Sequence, residues 1–126
     1  MLTILVVDDE KLERKGIRFL LNRRSEEMEI LEAANGKVAC EILQRRTVDI
    51  MLTDIKMPFM DGIELVSVAH KLQPDLEMVI FSGYGEFEYA KKAMASGVSN
   101  YVLKPVDPAE FENTLNHLVE KITERR

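Results

Sequence analysis

Three carboxylates and one amine follow three apolar stretches of this sequence. The stretches and the residues that end them are 2–7 with Asp8 and Asp9, 48–53 with Asp54, and 100–103 with Lys104. Apolar stretches of this length, rich in β-branched residues, are typical of strands buried on both faces of a parallel sheet. Ligands bind beyond the carboxyl ends of such strands, so we expect the charged side chains to converge. Clustered carboxylates repel one another, and the arrangement therefore predicts a divalent metal with oxygen ligands.

Strand-like and helix-like segments alternate along the chain with short connections, as in repeated βα units. The expected strands are residues 2–7, 29–34, 48–53, 77–82 and 99–103. The expected helices are about residues 10–24, the segment after Asn35-Gly36, the segment from Asp61 to Pro74, the segment ending before Gly97, and residues 108–124. The pattern predicts one α/β domain over residues 1–126, a (βα)5 unit with a doubly wound parallel sheet.

Two of the expected helices carry further local predictions. The apolar positions of the first helix are supplied by Leu12, Ile17, Phe19, Leu20 and Leu21. Asp61 is expected to cap the third helix, with Glu64 three residues later in a capping-box-like pair.

Composition limits the class of protein. The 126 residues fit one domain with a single core, and 46% of them are hydrophobic. No apolar stretch approaches the length of a membrane span, so we expect no membrane segment. One cysteine, Cys40, excludes an intramolecular disulfide and suits a cytoplasmic location. The net charge of −5 argues against direct nucleic-acid binding by this segment.

The ordered set of motifs resembles the receiver (CheY-like) domain of bacterial two-component response regulators along essentially the whole chain. The motifs are Asp8-Asp9, Asp54 within Thr-Asp-Ile-Lys-Met-Pro-Phe-Met-Asp-Gly, Ser82, Tyr101 and Lys104-Pro105. The resemblance implies a flavodoxin-like fold with strand order 2-1-3-4-5. It also implies phosphorylation of Asp54 by a partner sensor histidine kinase.

The resemblance implies the following chemistry at the site. Asp54 is the phosphoacceptor, because a carboxylate can attack a phosphoryl group to give an acyl phosphate. Mg²⁺ is the implied cofactor, bound directly by Asp9 and Asp54, by the backbone carbonyl of Lys56, and by Asp8 through a water. Lys104 supplies a second positive charge to a phosphoryl oxygen. The domain assists its own phosphotransfer and dephosphorylation and is otherwise not an enzyme.

The switch is expected to connect Ser82 with Tyr101. The Ser82 hydroxyl would donate to the added phosphoryl group and leave space for the Tyr101 ring. Taken singly, a hydroxyl bonded to its own backbone and a half-buried strand aromatic explain these residues equally well. The resemblance also implies a cis Lys104-Pro105 bond, and Lys56 with Tyr84 is predicted to shield a long-lived phosphoaspartate.

The output surface implied by the family lies on the fourth helix, the fifth strand and the fifth helix, which would also carry homodimerisation. The run from Gly83 to Ala93 resembles receivers of the YesN/AraC type, which carry a C-terminal DNA-binding domain and control transcription. Because the sequence ends at its last helix, we expect a receiver excised from a longer regulator, with a stand-alone receiver as the alternative.

Three other classes compete with this interpretation. A haloacid-dehalogenase-like phosphatase also uses an aspartate nucleophile, but it needs a general acid where this chain has Lys56. A flavin-binding flavodoxin needs a loop that binds phosphate, whereas Asp8, Asp9 and Glu10 would repel one. A receiver that docks partners without being phosphorylated is the remaining alternative, and the full set of site residues argues against it.

Overall fold

The computed structural model describes residues 1–83, 85–95 and 97–126, without the side chains of Phe87, Tyr89, Ala90 and Ala93. Five strands and five helices alternate along this part of the chain. The strands are β1 (Leu2–Val7), β2 (Met28–Ala33), β3 (Ile50–Asp54), β4 (Glu77–Ser82) and β5 (Asn100–Leu103). The helices are α1 (Lys11–Asn22), α2 (Gly36–Arg45), α3 (Gly62–Leu72), α4 (Phe87–Ala95) and α5 (Pro108–Arg125).

The strands form one parallel sheet in the order β2-β1-β3-β4-β5, which confirms the predicted fold class and strand order. The strand order reverses direction between β1 and β3, because the chain first adds β2 on one side and later adds β4 and β5 on the other. Ligand sites of doubly wound folds lie at such a reversal, beyond the carboxyl ends of the strands.

Helices cover both faces of the sheet, which explains why its central strands are mostly apolar. Side chains alternate along β1, so Leu5 and Val7 enter the core beneath α2 and α3. Ile4 and Val6 enter the opposite core, against α1 and α5. On β1, β3 and β4 the charged residues therefore lie at or just beyond the strand ends, where the two cores stop.

Helix α1 differs from its sequence-based description. Ile17 and Leu21 are buried as expected, but Leu12 and Phe19 are exposed. A helix that covers a sheet with one face buries positions four residues apart, and Leu12 and Phe19 lie off that stripe. The assignment of these two side chains to the apolar face was wrong.

The starts of α2 and α3 agree better with the sequence than the buried face of α1 does, because each start has a local capping residue. The Asn35 side chain accepts a hydrogen bond from the Val38 amide at 2.9 Å and caps α2. The Asp61 side chain accepts one from the Glu64 amide at 2.9 Å and caps α3, as predicted. Among the described residues, no helix combines the length and apolar composition needed to cross a lipid bilayer.

Candidate functional site

Asp54 is the last residue of β3 and lies at the carboxyl edge of the sheet, largely buried. One of its carboxylate oxygens accepts hydrogen bonds from the Ile55 amide at 3.0 Å and from the Lys104 amine at 2.9 Å. The loop after β3 returns so closely that a Cβ atom on Gly62 would lie 2.5 Å from the Asp54 carbonyl oxygen. The Gly62 amide instead donates to the Ile55 carbonyl at 2.7 Å, which fixes the backbone around Asp54.

The two aspartates after β1 occupy different environments. Asp8 is buried, and one of its oxygens accepts a hydrogen bond from the Glu10 amide at 2.9 Å. Its other oxygen lies 3.9 Å from the Lys104 amine. Asp9 is exposed. The structure therefore brings Asp8 into direct contact range of Asp54 and Lys104 and leaves the role of Asp9 as a prediction.

Glu13, in the first turn of α1, is a site residue that the sequence analysis missed. Its carboxylate oxygen lies 2.6 Å from the Lys104 amine. The available signal was its position five residues after Asp8, which returns a helical side chain toward the strand end that precedes the helix. Without a tertiary structure, an acidic residue there also fits simple stabilisation of a helix N-terminus.

Lys104 follows β5, and its amide donates to the Ser82 carbonyl at 2.8 Å. The bond between Lys104 and Pro105 is cis, as the family resemblance implied. Burial alone would lower the pKa of Lys104, but hydrogen bonds to Glu13 and Asp54 outweigh it and raise that pKa. The amine therefore stays charged throughout the physiological range.

The carboxylates around this amine repel one another and are partly desolvated. Burial raises the pKa of Asp8 to about 8, helped by a hydrogen bond shared with Glu13 and by the charge of Asp54. Burial also raises the pKa of Asp54, and the hydrogen bond from Lys104 offsets only part of that rise. The pKa of Glu13 is lowered, mainly by its hydrogen bonds to Asp8 and Lys104. One amine thus does not balance the charge that three ionised carboxyl groups would carry, and the raised pKa values of Asp8 and Asp54 reflect this shortfall.

A hard divalent cation fits this donor set. One carboxylate oxygen from each of Asp8, Glu13 and Asp54 lies within 4.8 Å of the other two. Carboxylate oxygens are the ligands that Mg²⁺ prefers, and Mg²⁺ usually takes one or two of them and keeps several waters. The group found here shares Asp8 and Asp54 with the predicted ligand set.

Ser82 and Tyr101 lie on the same face of the sheet, next to one another on β4 and β5. Tyr101 is in register with Ile80, two residues before Ser82, and its half-buried ring packs against the core beneath α2 and α3. The Ser82 hydroxyl is buried and has no hydrogen-bond partner among the described residues. A buried hydroxyl without a partner is rare. The position of Ser82 at a strand end would allow its hydroxyl to donate to an acceptor added at the site.

Two sequence-predicted positions are not tested by this geometry. Lys56 is exposed in the loop after β3, and its carbonyl remains a predicted ligand. Tyr84 lies outside the described residues, as do the side chains of Phe87 and Tyr89 on α4. The prediction about shielding by Lys56 and Tyr84 therefore stays untested.

A five-stranded parallel sheet of order 2-1-3-4-5 with an acidic cluster and a lysine at its carboxyl edge defines the class of receiver-like signalling domains. Residues 4–116 match the model of the response regulator receiver domain family. The chain belongs to this family.

Two curated bacterial regulators illustrate the relationship. The chain is 35% identical over 123 residues to the uncharacterized transcriptional regulatory protein YesN of Bacillus subtilis strain 168, covering 97% of this chain and 33% of that protein. It is 32% identical over 128 residues to the transcriptional regulatory protein HptR of Staphylococcus aureus strain NCTC 8325, covering 100% of this chain and 50% of that protein. The chain thus spans between a third and a half of the length of these relatives.

Solved structures give the same relationship. The receiver domain of AraT, a response regulator from Geobacillus stearothermophilus, superposes with a TM-score of 0.88 at 35% identity, covering 98% of this chain and 97% of that one. The two-component transcriptional regulator AraC from Clostridium phytofermentans ISDg superposes with a TM-score of 0.87 at 38% identity, covering the same shares. These matches agree with the predicted resemblance to YesN/AraC-type receivers.

Family membership defines the general role of the domain. Receivers are signalling domains of two-component systems and not classical enzymes, and a response regulator has a kinase as its partner. Phosphorylation and the use of Mg²⁺ are properties of the family.

Proposed function

We propose that this domain accepts a phosphoryl group on Asp54 from a sensor histidine kinase and uses it to switch an output surface. The observation that carries the proposal is the contact of the Asp54 carboxylate with the Lys104 amine, 2.9 Å apart, inside a cluster of acidic groups. A lone strand-end carboxylate would be solvated, whereas this one is held by a cation and fixed by the Ile55 amide. That arrangement prepares one oxygen for attack on phosphorus.

The proposed phosphoryl transfer exchanges one bond to phosphorus for another. An Asp54 oxygen forms a bond to phosphorus as the bond from phosphorus to the kinase histidine nitrogen breaks. The electron pair of that broken bond stays with the imidazole. Lys104 neutralises charge on the transferring group, and its raised pKa keeps it protonated for that task.

Mg²⁺, bound by carboxylates of this edge, would supply the further positive charge that lets two anions approach. Asp8 and Asp54 are the candidates supported by position, and Asp9 and the Lys56 carbonyl are those implied by the family. We propose the exposed Asp9 as a direct ligand because it adjoins Asp8 at the end of the same strand.

The switch would begin at Ser82. Its buried hydroxyl lacks a partner among the described residues, so a new acceptor on Asp54 offers it a hydrogen bond that the unmodified site does not. Movement of Ser82 would open space on the face that it shares with Tyr101. Rotation of the Tyr101 ring into that space would alter the surface formed by α4, β5 and α5, where a second copy of the domain or another partner would bind.

The whole regulator would act on transcription. YesN and HptR are named transcriptional regulatory proteins and are two to three times longer than the part that this chain matches. We infer that the receiver controls a DNA-binding domain and that the receiver itself does not contact DNA, in line with its net charge of −5. A cytoplasmic location follows from this role.

Incubation with acetyl phosphate, with and without Mg²⁺, tests the proposal. We expect a gain of one phosphoryl group in the presence of Mg²⁺, and intact-protein mass spectrometry would detect it. Asp54→Asn should abolish the modification, and Asp49→Asn serves as the control because Asp49 lies at the opposite edge of the sheet, next to Arg126. Labelling that survives Asp54→Asn would contradict the proposal, and turnover of phosphoesters without a stable adduct would favour the phosphatase alternative.

A further inference from the structure

Among the three carboxyl groups that the structure describes around the Lys104 amine, Glu13 is the nearest. The distance from that amine is 2.6 Å to Glu13, 2.9 Å to Asp54 and 3.9 Å to Asp8. The same amine is the group that the proposed function requires at a phosphoryl oxygen. Glu13 therefore competes with the phosphoryl group for one donor.

Glu13 is held in place by the start of α1. Its neighbour Arg14 donates to the Asp8 carbonyl at 2.6 Å and to the Glu32 carboxylate at 3.1 Å. These bonds attach the first helical turn to the ends of β1 and β2. The Glu13 carboxylate thus approaches Lys104 from a helical turn that is held against the strand ends.

Lys104 has room to change partners. A cavity of about 320 Å³ lies beside the amine, between α1 and the end of β5, and Glu13, Asp54 and Lys104 are among the residues that line it. A lysine amine is a point charge on a flexible stem, so it can leave one oxygen for another without movement of the backbone. The charge-assisted bond to Glu13 must weaken when it does so.

We propose that Glu13 is a positioning residue that restrains Lys104 in the unphosphorylated domain and slows its transfer to the incoming phosphoryl group. The inference rests on the proposed function, because it concerns the rate at which Asp54 is modified. In this arrangement a side chain of α1 contributes to the activation barrier for phosphorylation of Asp54. The restraint needs both the charge of Glu13 and the length of its side chain, since an oxygen must lie within hydrogen-bonding distance of the amine.

Two substitutions separate restraint of Lys104 from simple repulsion of the phosphoryl donor. Glu13→Gln removes the charge and keeps the length, whereas Glu13→Asp keeps the charge and withdraws the carboxylate by one methylene group. If Glu13 restrains Lys104, both variants should be phosphorylated by acetyl phosphate about fivefold faster than the wild type at saturating Mg²⁺. The matched control is Glu10→Gln, which removes a charge from an exposed side chain that makes no capping hydrogen bond. Its rate should stay within about twofold of the wild type.

Carbon-13 NMR of the Lys104 Cε atom gives a readout that a merely structural role would not change. We expect its chemical shift to move in Glu13→Gln and Glu13→Asp, and to stay unchanged in Glu10→Gln. Unchanged or slower phosphorylation of both Glu13 variants would overturn the inference, as would acceleration of Glu13→Gln alone, which indicates repulsion. If the wild type is labelled on Asp54 and the Glu13 variants match it, the inference fails while the proposed function stands. If the wild type is not labelled, the proposed function fails.

Discussion

Two buried acidic residues lie at opposite ends of the neighbouring strands β3 and β4. Glu77 begins β4 at the amino edge of the sheet, and Asp54 ends β3 at the carboxyl edge. Both side chains are largely withdrawn from solvent, with exposed fractions of 6% for Glu77 and 11% for Asp54. Their partners differ in number and charge, and so do the consequences for stability and function.

Glu77 is surrounded by donors. It accepts a hydrogen bond from the Ser99 hydroxyl at 2.7 Å and ion pairs with Lys121 and Arg125 of α5. Burial alone would raise the pKa of Glu77, but these three donors outweigh it and hold that pKa below its usual range. The group is fully satisfied, and it ties the last helix to the sheet.

At the carboxyl edge the balance is reversed. Asp54 shares the Lys104 amine with Glu13 and Asp8, and the pKa of Asp54 is raised where that of Glu77 is lowered. A crowded group of carboxyls costs stability when no cation is bound. The comparison indicates that the amino edge is electrostatically stabilised, whereas the carboxyl edge retains an unfavourable arrangement at the place where the proposed metal and phosphoryl chemistry would occur.

The largest expected effect is the loss of the amino-edge network in Glu77→Gln. Because the amide cannot ion pair with Lys121 and Arg125, we expect a loss of about 2 kcal/mol in the free energy of unfolding, measured by urea denaturation. Glu29→Gln is the control, since Glu29 forms an exposed pair with Arg46 at the surface and its removal should leave the denaturation midpoint unchanged. Equal effects of the two substitutions would show that burial does not distinguish them.

A smaller change of opposite sign is expected for Asp8→Asn at the carboxyl edge. The amide keeps the hydrogen bond from the Glu10 amide and is always neutral, so folding no longer places an ionisable carboxyl in a group where its charge is disfavoured. In EDTA we expect the variant to be about 1 kcal/mol more stable than the wild type, measured by urea denaturation. With Mg²⁺ added, the wild type should gain more stability than the variant, because the variant has lost a candidate ligand. A loss of stability in EDTA would remove the contrast between the two edges.

An effect of about the same size as that of Asp8→Asn concerns acid pH. The folded-state pKa of Glu77 lies below its usual value of 4.5, so the unfolded chain binds the proton more readily than the folded domain. The stability from Glu77 is therefore present above the unfolded pKa and is lost as the pH falls through the folded pKa. We expect the gap between wild type and Glu77→Gln to narrow by about 1 kcal/mol between about pH 6 and about pH 3. A gap that stays constant over this range would contradict the assignment.

Local signals in the sequence were sufficient for the elements and for the convergence of Asp8, Asp54 and Lys104. The apolar stretches predicted the strands because a strand buried on both faces must be apolar at every position. The capping residues Asn35 and Asp61 located helix starts because their side chains bond to backbone amides only a few residues away. Asp54 and Lys104 could be placed together because parallel strands end at one edge.

Contacts between distant segments could not be predicted in the same way. The sequence separates Glu13 from Lys104 by 91 residues, and nothing local distinguishes its role from stabilisation of a helix N-terminus. Glu77 of β4 forms ion pairs with Lys121 and Arg125 only because α5 packs against the sheet in the tertiary structure. The exposure of Leu12 and Phe19 could not be predicted either, since the face of α1 that is buried depends on how the helix packs on the sheet.

The sequence by itself determined the α/β class, the strand ends and the identity of the acidic and basic groups, since hydrophobic period and strand length are local properties. The tertiary structure decided which carboxylates share the Lys104 amine and which carboxylate is fully satisfied. Charge balance at a buried site depends on distances of a few ångströms between separate elements, and packing of the whole domain sets those distances.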